Sequence, residues 1–276
     1  MDVNNFGNVY SVYLAYSADK HIRFAASSGG FCKSFLVHLL KSEIIDGAIV
    51  TRTGSEQSPL IPETIITSSI EEILSSRTNS VYAPTNPLAI ARKLDKEHKY
   101  ALVGLGCHIR DLVALQKKGM LKNIEIKIGL LCHHVPNLEF TEEVLRKLGI
   151  KKEEVRQIEY RGTGWPGGFT AYLNDSTKRF ISTDDYWTNN LGNGSGYCRV
   201  CSEICGDADI VACDPWNLGL ERGERLGKTL IFCRNNRLDS LVNQAYNAGA
   251  IRIERCNREI LSRSQGRHVL DKLSRK

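Results

Sequence analysis

The chain has 276 residues, 42% of them hydrophobic, 25% charged and 8% aromatic, with a formal net charge of +6 at pH 7. That is ordinary for a soluble globular protein able to bury one large core or two interlocked ones. It excludes a membrane-spanning helix, since no apolar stretch approaches the length needed to cross a bilayer. It also argues against a nucleic-acid binder, since no basic stripe is interleaved with aromatics.

Much of the positive charge sits in KLDKEHK, RKLGIKKEEVR and the tail LSRSQGRHVLDKLSRK, which read as solvated helix faces of mixed sign. A mild positive balance suits an acidic partner protein or an anionic cofactor. The amino terminus, MDVNNFGNVYSVYLAYS, lacks a basic region followed by an apolar segment, so a cytosolic location is expected. Disulfides are uncommon there, so the nine cysteines point to metal where they cluster and to core filling where they stand alone.

In chain order, residues 8–18 alternate as an opening strand. The run Ser27-Ser28-Gly29-Gly30 then leads into FCKSFLVHLLKS, whose apolar residues fall at helical spacing. Small residues before a helix expose backbone N–H groups at its positive end, which favours a phosphate; an ordinary helix cap is the plain alternative. Cys32 and His38 are expected to pack within that helix. Strands follow at 44–52 and 64–66, a short helix at 69–76, and a polar loop over 76–84. Residues 86–97 read as helical, 100–105 as a buried strand, and IRDLVALQKKG as a helix. Cys107 thus stands where a strand gives way to a helix, a place where ligands collect and a thiolate is favoured. Residues 124–131 form another strand ending in a cysteine, Cys132, followed by His133 and His134.

Residues 141–148 read as a helix and 152–156 as the start of another. The turn YRGTGWPGG (160–168) can present an aromatic face and a guanidinium to an anionic ring; a hairpin turn with Trp165 in the core is the alternative. A hairpin is expected over 169–173 and 179–182. The stretch YCRVCSEICGDADIVACDPW (197–216) organises the whole reading. Its C-x2-C pair, Cys198 and Cys201, lets two thiolates converge on one metal centre, and Cys205 adds a third sulfur. The plainer alternative is three thiols gathered by chance. The loop is expected to lean on the edge of a sheet through a short strand ending at Asp214-Pro215. A strand at 228–234, a helix at 239–248, a strand at 251–254 and a charged helical tail complete the chain.

Taken in order, ASSGG (26–30), GLGCH (104–108), IGLLCH (128–133), YRGTGWPGG and CRVC…ADIVACDPW resemble the beta-subunit family of coenzyme F420-reducing hydrogenases and dehydrogenases. The resemblance spans nearly the whole chain. It implies FAD, at least one 4Fe–4S cluster, and electron exchange between cluster, flavin and a substrate that in the best-known members is coenzyme F420. By position it implies that Ser27, Ser28, Gly29 and Gly30 hold the FAD, helped by Thr78, Asn79, Ser80 and Tyr82. It places Arg161, Gly164 and Trp165 along the flavin or substrate face. Cys107, Cys132, Cys198 and Cys201 become the first choice of cluster ligands, with Cys205 an alternative or the ligand of a second centre. The sequence departs from the family pattern at Gly106, where Pro is common, at Asp111, where Gly is frequent, and at Cys213, where Gly is usual.

The expected architecture is α/β: a mixed sheet flanked by helices, with a β-richer second half carrying the cysteine loop. Residues 1–150 form an α/β flavin-binding part and 151–276 the β-richer part, interlocked as one unit. The expected function is an oxidoreductase subunit with single electrons on one side and a hydride on the other. With no ferredoxin module before residue 1, electrons are expected to come from or go to a partner subunit or a ferredoxin, in an oligomer or hetero-complex. If a side chain acts as acid or base, His108 or His133 is the candidate. The rival readings are a ferredoxin-linked reductase of another substrate and a non-catalytic assembly subunit stapled by zinc.

Overall fold

A computed structural model describes residues 3–187 and 196–275. The chain opens with β1 (Ser11–Ser17), α1 (Lys20–Ala25), α2 (Phe31–Lys41), β2 (Gly47–Arg52), β3 (Glu63–Thr67) and α3 (Ile70–Leu74). Next come β4 (Tyr100–Leu105), α4 (Gly106–Lys117), β5 (Ile124–Leu130) and α5 (Leu138–Lys147). They are followed by β6 (Val155–Glu159), β7 (Gly168–Leu173), β8 (Lys178–Ser182), α6 (Thr183–Trp187) and α7 (Gly196–Arg199). The chain closes with β9 (Ile210–Cys213), β10 (Thr229–Cys233), α8 (Asn236–Asn247), β11 (Ile251–Cys256) and α9 (Glu259–Leu273).

Eight strands form one mixed sheet in the order β11-β1-β10-β9-β5-β4-β2-β3, and β6, β7 and β8 form a second, antiparallel sheet. Within the large sheet β2, β4, β5 and β9 run parallel, while β1, β10 and β11 pair antiparallel. Strands from both sides of residue 150 therefore share one sheet. The carboxyl ends of β4, β5 and β9 emerge on the same edge, so the residues that follow them are brought together.

Side-chain alternation makes the sheet a wall between two cores. Tyr13 and Ala15, Ile210 and Ala212, and Ile231 and Cys233 face one core with Phe31, Phe35 and Leu39 of α2 and Leu238, Val242 and Ala245 of α8. Val12 and Leu14, Val211, and Leu230 and Phe232 face the other with Ile109 of α4 and Leu261 and Val269 of α9. In α2 and α8 the buried residues recur at three- and four-residue spacing, which is what puts one apolar stripe on the sheet. The small sheet has its own core, Ile158, Phe169 and Ala171 against Phe140, Val144 and Leu145 of α5.

Four local expectations change. Residues 86–97 form two 3-10 turns, Pro87–Ala89 and Ala91–Lys93, instead of one helix. Ala91 is buried with Leu88, Ile90 and Leu94 packed around it, and this crowding of neighbouring apolar residues onto one surface overrides helical spacing. The helix start at 152 is a single 3-10 turn, Lys152–Glu154, and the chain extends into β6 from Val155. The strand after the cysteine loop, β9, lies between β10 and β5, inside the sheet and not at its edge. Finally, the tail helix α9 is not a solvated face: Leu261, Ser264, Gln265, Gly266, Val269 and Lys272 are buried.

Candidate functional site

A cavity of about 710 Å³ opens where the carboxyl ends of the parallel strands meet the loops after β1 and α3. That volume falls within the range of about 300–1,000 Å³ usual for small-molecule and cofactor sites. One part of its wall is the 27–30 turn. Gly29 and Gly30 both adopt left-handed backbone, with φ of 70° and 74°. A Cβ on Gly29 would stand 2.8 Å from the Lys228 backbone, so only glycine lets the two segments touch. Gly30 caps α2 with no side-chain hydrogen bond, leaving the positive end of that helix without a side-chain partner.

The serine hydroxyls tie loops together. Ser28 Oγ donates to the Lys228 carbonyl at 2.7 Å, and Ser27 Oγ accepts from the Ser80 N–H at 2.8 Å. Thr78 Oγ1 donates to backbone carbonyls of Ile73 and Ser75 at 2.8 Å each. Asn79 donates to the carbonyls of Ala25 (2.8 Å) and Arg161 (3.1 Å), while its Oδ1 is buried without a hydrogen-bond partner among the described residues. Lys33, in the first turn of α2, is buried and donates to the Ser75 carbonyl at 2.7 Å; burial pulls its pKa down to about 7.

Arg161 is a latch. It is 2% exposed and donates from Nη1 to Asp214 Oδ2 (2.7 Å), from Nη2 to the Ser27 carbonyl (2.7 Å) and from Nε to the Pro166 carbonyl (3.1 Å). Desolvation works against its charge, yet the Asp214 carboxylate and the Tyr82 hydroxyl outweigh it and hold the guanidinium ionised. Trp165 donates from Nε1 to Asp214 Oδ1 at 2.9 Å and stacks on Trp216 with centroids 5.0 Å apart. The turn's polar groups thus fasten it to the end of β9. Trp165 is itself 2% exposed, so its ring belongs to the core.

The thiols gather on the other side. Cys107 lies in the first turn of α4, Cys132 two residues beyond β5, and Cys198 and Cys201 in and after α7. Burial raises the Cys107 thiol, and charge on Cys201 and Cys198 raises it further. Burial pushes Cys132 up to about 12; Lys272 opposes this, and charge on Cys198, Cys107 and Cys201 adds to it. These four sulfurs therefore lie within electrostatic reach of one another. Among the described residues, no three His, Cys, Asp or Glu side chains are grouped so as to hold a metal ion. The Val135 N–H donates to Cys198 Sγ at 3.4 Å, and Lys272 Nζ donates to Cys201 Sγ at 3.3 Å. Cys205 differs: it is 2% exposed, its Sγ donates to the Leu130 carbonyl at 3.2 Å, and burial raises it well above the ordinary thiol range. Gly106 and Gly129 make room for it, since a Cβ on either would come within 3 Å of Cys205 atoms.

Three histidines join the thiols to the cavity. His133 Nε2 lies 2.7 Å from Asp271 Oδ2, and its Nδ1 lies 3.2 Å from His134 Nδ1. His134 and His268 each keep a buried Nε2 with no hydrogen-bond partner among the described residues. Desolvation pulls both rings down to about 4, with the charge of His133 adding to it. Burial also lowers His108, whose Nδ1 accepts from the Leu105 N–H at 3.3 Å.

Of the residues singled out in the sequence, Ser27, Ser28, Gly30, Thr78, Asn79, Ser80, Tyr82, Arg161, Cys132, His108 and His133 line the cavity. Gly29, Gly164, Trp165, Cys107, Cys198, Cys201 and Cys205 do not. Gly164 instead abuts the Arg225 carbonyl, 2.8 Å from where its Cβ would be. Sequence reasoning missed Lys33, Asp214, Trp216, His268 and Lys272. Only Asp214 carried a usable signal, as a carboxylate at a strand end.

Two family profiles match the chain, and both describe the beta subunit of coenzyme F420 hydrogenase/dehydrogenase. The profile of its N-terminal part matches residues 12–91, and the profile of its C-terminal part matches residues 97–259. The chain is 23% identical to coenzyme F420 hydrogenase subunit beta of Methanothermobacter thermautotrophicus over 254 residues, 88% of this chain and 83% of that one. It is 30% identical over 199 residues to the coenzyme F420-dependent sulfite reductase of Methanocaldococcus jannaschii, covering 66% of this chain and 29% of that longer protein. Its fold is similar to a chain of the F420-reducing [NiFe] hydrogenase complex from Methanosarcina barkeri, with a TM-score of 0.73 at 16% identity, covering 98% of this chain and 92% of that one. With both profiles matched in order along one α/β fold, the chain belongs to the coenzyme F420 hydrogenase/dehydrogenase beta-subunit family of oxidoreductases.

Proposed function

We propose that the chain is a flavin- and 4Fe–4S-containing oxidoreductase subunit that exchanges electrons between an iron–sulfur partner chain and coenzyme F420. The observation that supports this best is that one cavity is lined both by the Ser27–Ser28–Gly30 turn and by Cys132, one of four thiols within electrostatic reach of one another. The 27–30 corner suits the pyrophosphate of FAD: α2 begins there without a side-chain cap, and anions favour that end of a helix. Asn79 Oδ1, buried on the same wall without a partner among the described residues, suits a ring N–H or a sugar hydroxyl. Arg161, held by Asp214, keeps the Ser27 carbonyl and the 160–168 turn in place. FAD, when bound, supplies the exchange between a hydride pair and single electrons.

In this reading Cys107, Cys132, Cys198 and Cys201 are the cluster ligands, and Cys205 stays in the core beneath them. His108 and His133, both in the cavity wall, are the candidates for holding a proton near the substrate. Residues 1–150 carry most of the flavin contacts and 151–276 the cysteine loop. The partner is an electron-transfer chain or a ferredoxin, and the location cytoplasmic. The stretch shared with a coenzyme F420-dependent sulfite reductase favours a second reading, in which the same flavin–cluster unit serves the reduction of a different substrate.

Anaerobically prepared protein tests both. A yellow flavin absorbance, with a broad brown band that bleaches on reduction and about four irons per chain, is expected. A colourless, zinc-loaded protein returns the chain to a stapled assembly role. Hydride exchange with F420 is expected to exceed exchange with nicotinamides, and exchange with nicotinamides alone removes F420 from the account.

A further inference from the structure

Lys272 is 2% exposed, near the end of α9, 71 residues after Cys201. Its Nζ reaches Cys201 Sγ at 3.3 Å and the His133 carbonyl at 3.5 Å. Among the described residues it makes no ion pair with a carboxylate: the neighbouring Asp271 pairs with Arg275 and His133 instead. A buried ammonium without a counter-ion is costly, by several kcal/mol in effective terms. The groups around it that can become anionic are the thiols. It touches one of them, Cys201. Arg275, one turn further on, donates to the carbonyls of both His133 and Cys198 at 3.0 Å. The end of α9 thus grips both thiol-bearing segments and delivers one desolvated positive charge between them.

We infer that Lys272 is the charge-compensating residue of the thiolate centre: it hydrogen-bonds the Cys201 sulfur and holds the centre at a higher reduction potential than the sulfurs alone would set. This rests on the cluster reading given above. One-electron reduction, with the electron supplied by a low-potential donor such as dithionite, adds one negative charge to the centre without making or breaking a bond. A fixed ammonium 3.3 Å from a ligand sulfur stabilises the reduced form more than the oxidised one, because the attraction grows with the charge. Hydrogen bonds to ligand sulfur and net charge are among the factors that set such potentials. Lys272 is a positioning residue in this sense and touches no substrate.

The test is the midpoint potential of the cluster in the full chain, followed by electron paramagnetic resonance during a redox titration, for the parent, Lys272→Met and Lys272→Arg. Lys272→Met is expected to lower the reduction equilibrium about tenfold, which for one electron is about 59 mV. Lys272→Arg, which keeps the charge, is expected to restore most of that shift. An unchanged potential in a cluster-replete Lys272→Met variant overturns the inference. Should Lys272→Met lose its iron, retention of iron by Lys272→Arg but not by Lys272→Gln supports the same role, and loss in all three variants overturns it. An iron-free parent protein defeats the cluster reading itself, and so is distinguishable from either result.

Discussion

At Arg161 each of the three guanidinium nitrogens has an acceptor, whereas across the cavity wall His134 and His268 each keep a buried ring nitrogen with none among the described residues. The difference separates scaffold from site. Buried polar groups that satisfy one another fix a shape, and their removal costs stability. Buried polar groups left open have been desolvated for something else, and Asn79 Oδ1 belongs with them. Lys272 sits between the two kinds, satisfied by a sulfur that carries full charge only as a thiolate.

The contrast breaks most sharply at Cys132. Cys132→Ser is expected to empty the centre, with iron in anaerobically purified protein falling to near zero and flavin retained; iron at the parent level would return Cys132 to a packing role. On the satisfied side, Asp214→Ala leaves the Arg161 charge buried and takes the acceptor of the Trp165 N–H, so denaturant unfolding should show a loss of about 3–5 kcal/mol. A loss within ordinary surface values would mean that the latch is not holding the turn.

Lys33 sharpens the comparison through pH. Burial lowers its folded pKa from 10.5 to about 7, so between those values the unfolded chain holds a proton that the folded one has released. Stability is therefore expected to rise as pH climbs from 7 towards 10.5, and Lys33→Met should flatten that slope and stabilise the protein at neutral pH. An unaltered slope in denaturant titrations across that range would place the proton elsewhere. The smallest effect is expected for Ser27→Ala, which takes the acceptor from the Ser80 N–H: about 1 kcal/mol of stability, read by thermal melting, with weaker retention of flavin on gel filtration.

Much of the fold could be read from the chain because its signals are local. The alternation in β1 and β10, the helical stripe of Phe31, Phe35 and Leu39, and the cysteines at the ends of β4 and β5 all report their own elements. What escaped was set by distant neighbours. Residues 86–97 have helical spacing, but packing around Ala91 imposes tighter turns. Trp165 in a glycine turn looks like a platform until Asp214 and Trp216, some fifty residues later, enclose it. Lys272 stands in a run of charges indistinguishable from a solvated helix, and only the return of α9 against Cys201 gives it a role. The sequence kept Cys205 as an alternative ligand or the ligand of a second centre, whereas the space left by Gly106 and Gly129 draws its thiol into the core.

The position of α9 also fixes an order of events during synthesis. The thiols of Cys107, Cys132, Cys198 and Cys201 all precede α9, which ends at Leu273. A nascent chain still threaded through the ribosome at that helix presents its sulfurs bare, without the ammonium of Lys272 or the clasp of Arg275. The last contacts to the cysteine loop are thus made by a helix that emerges only after the sheet beneath it has been translated.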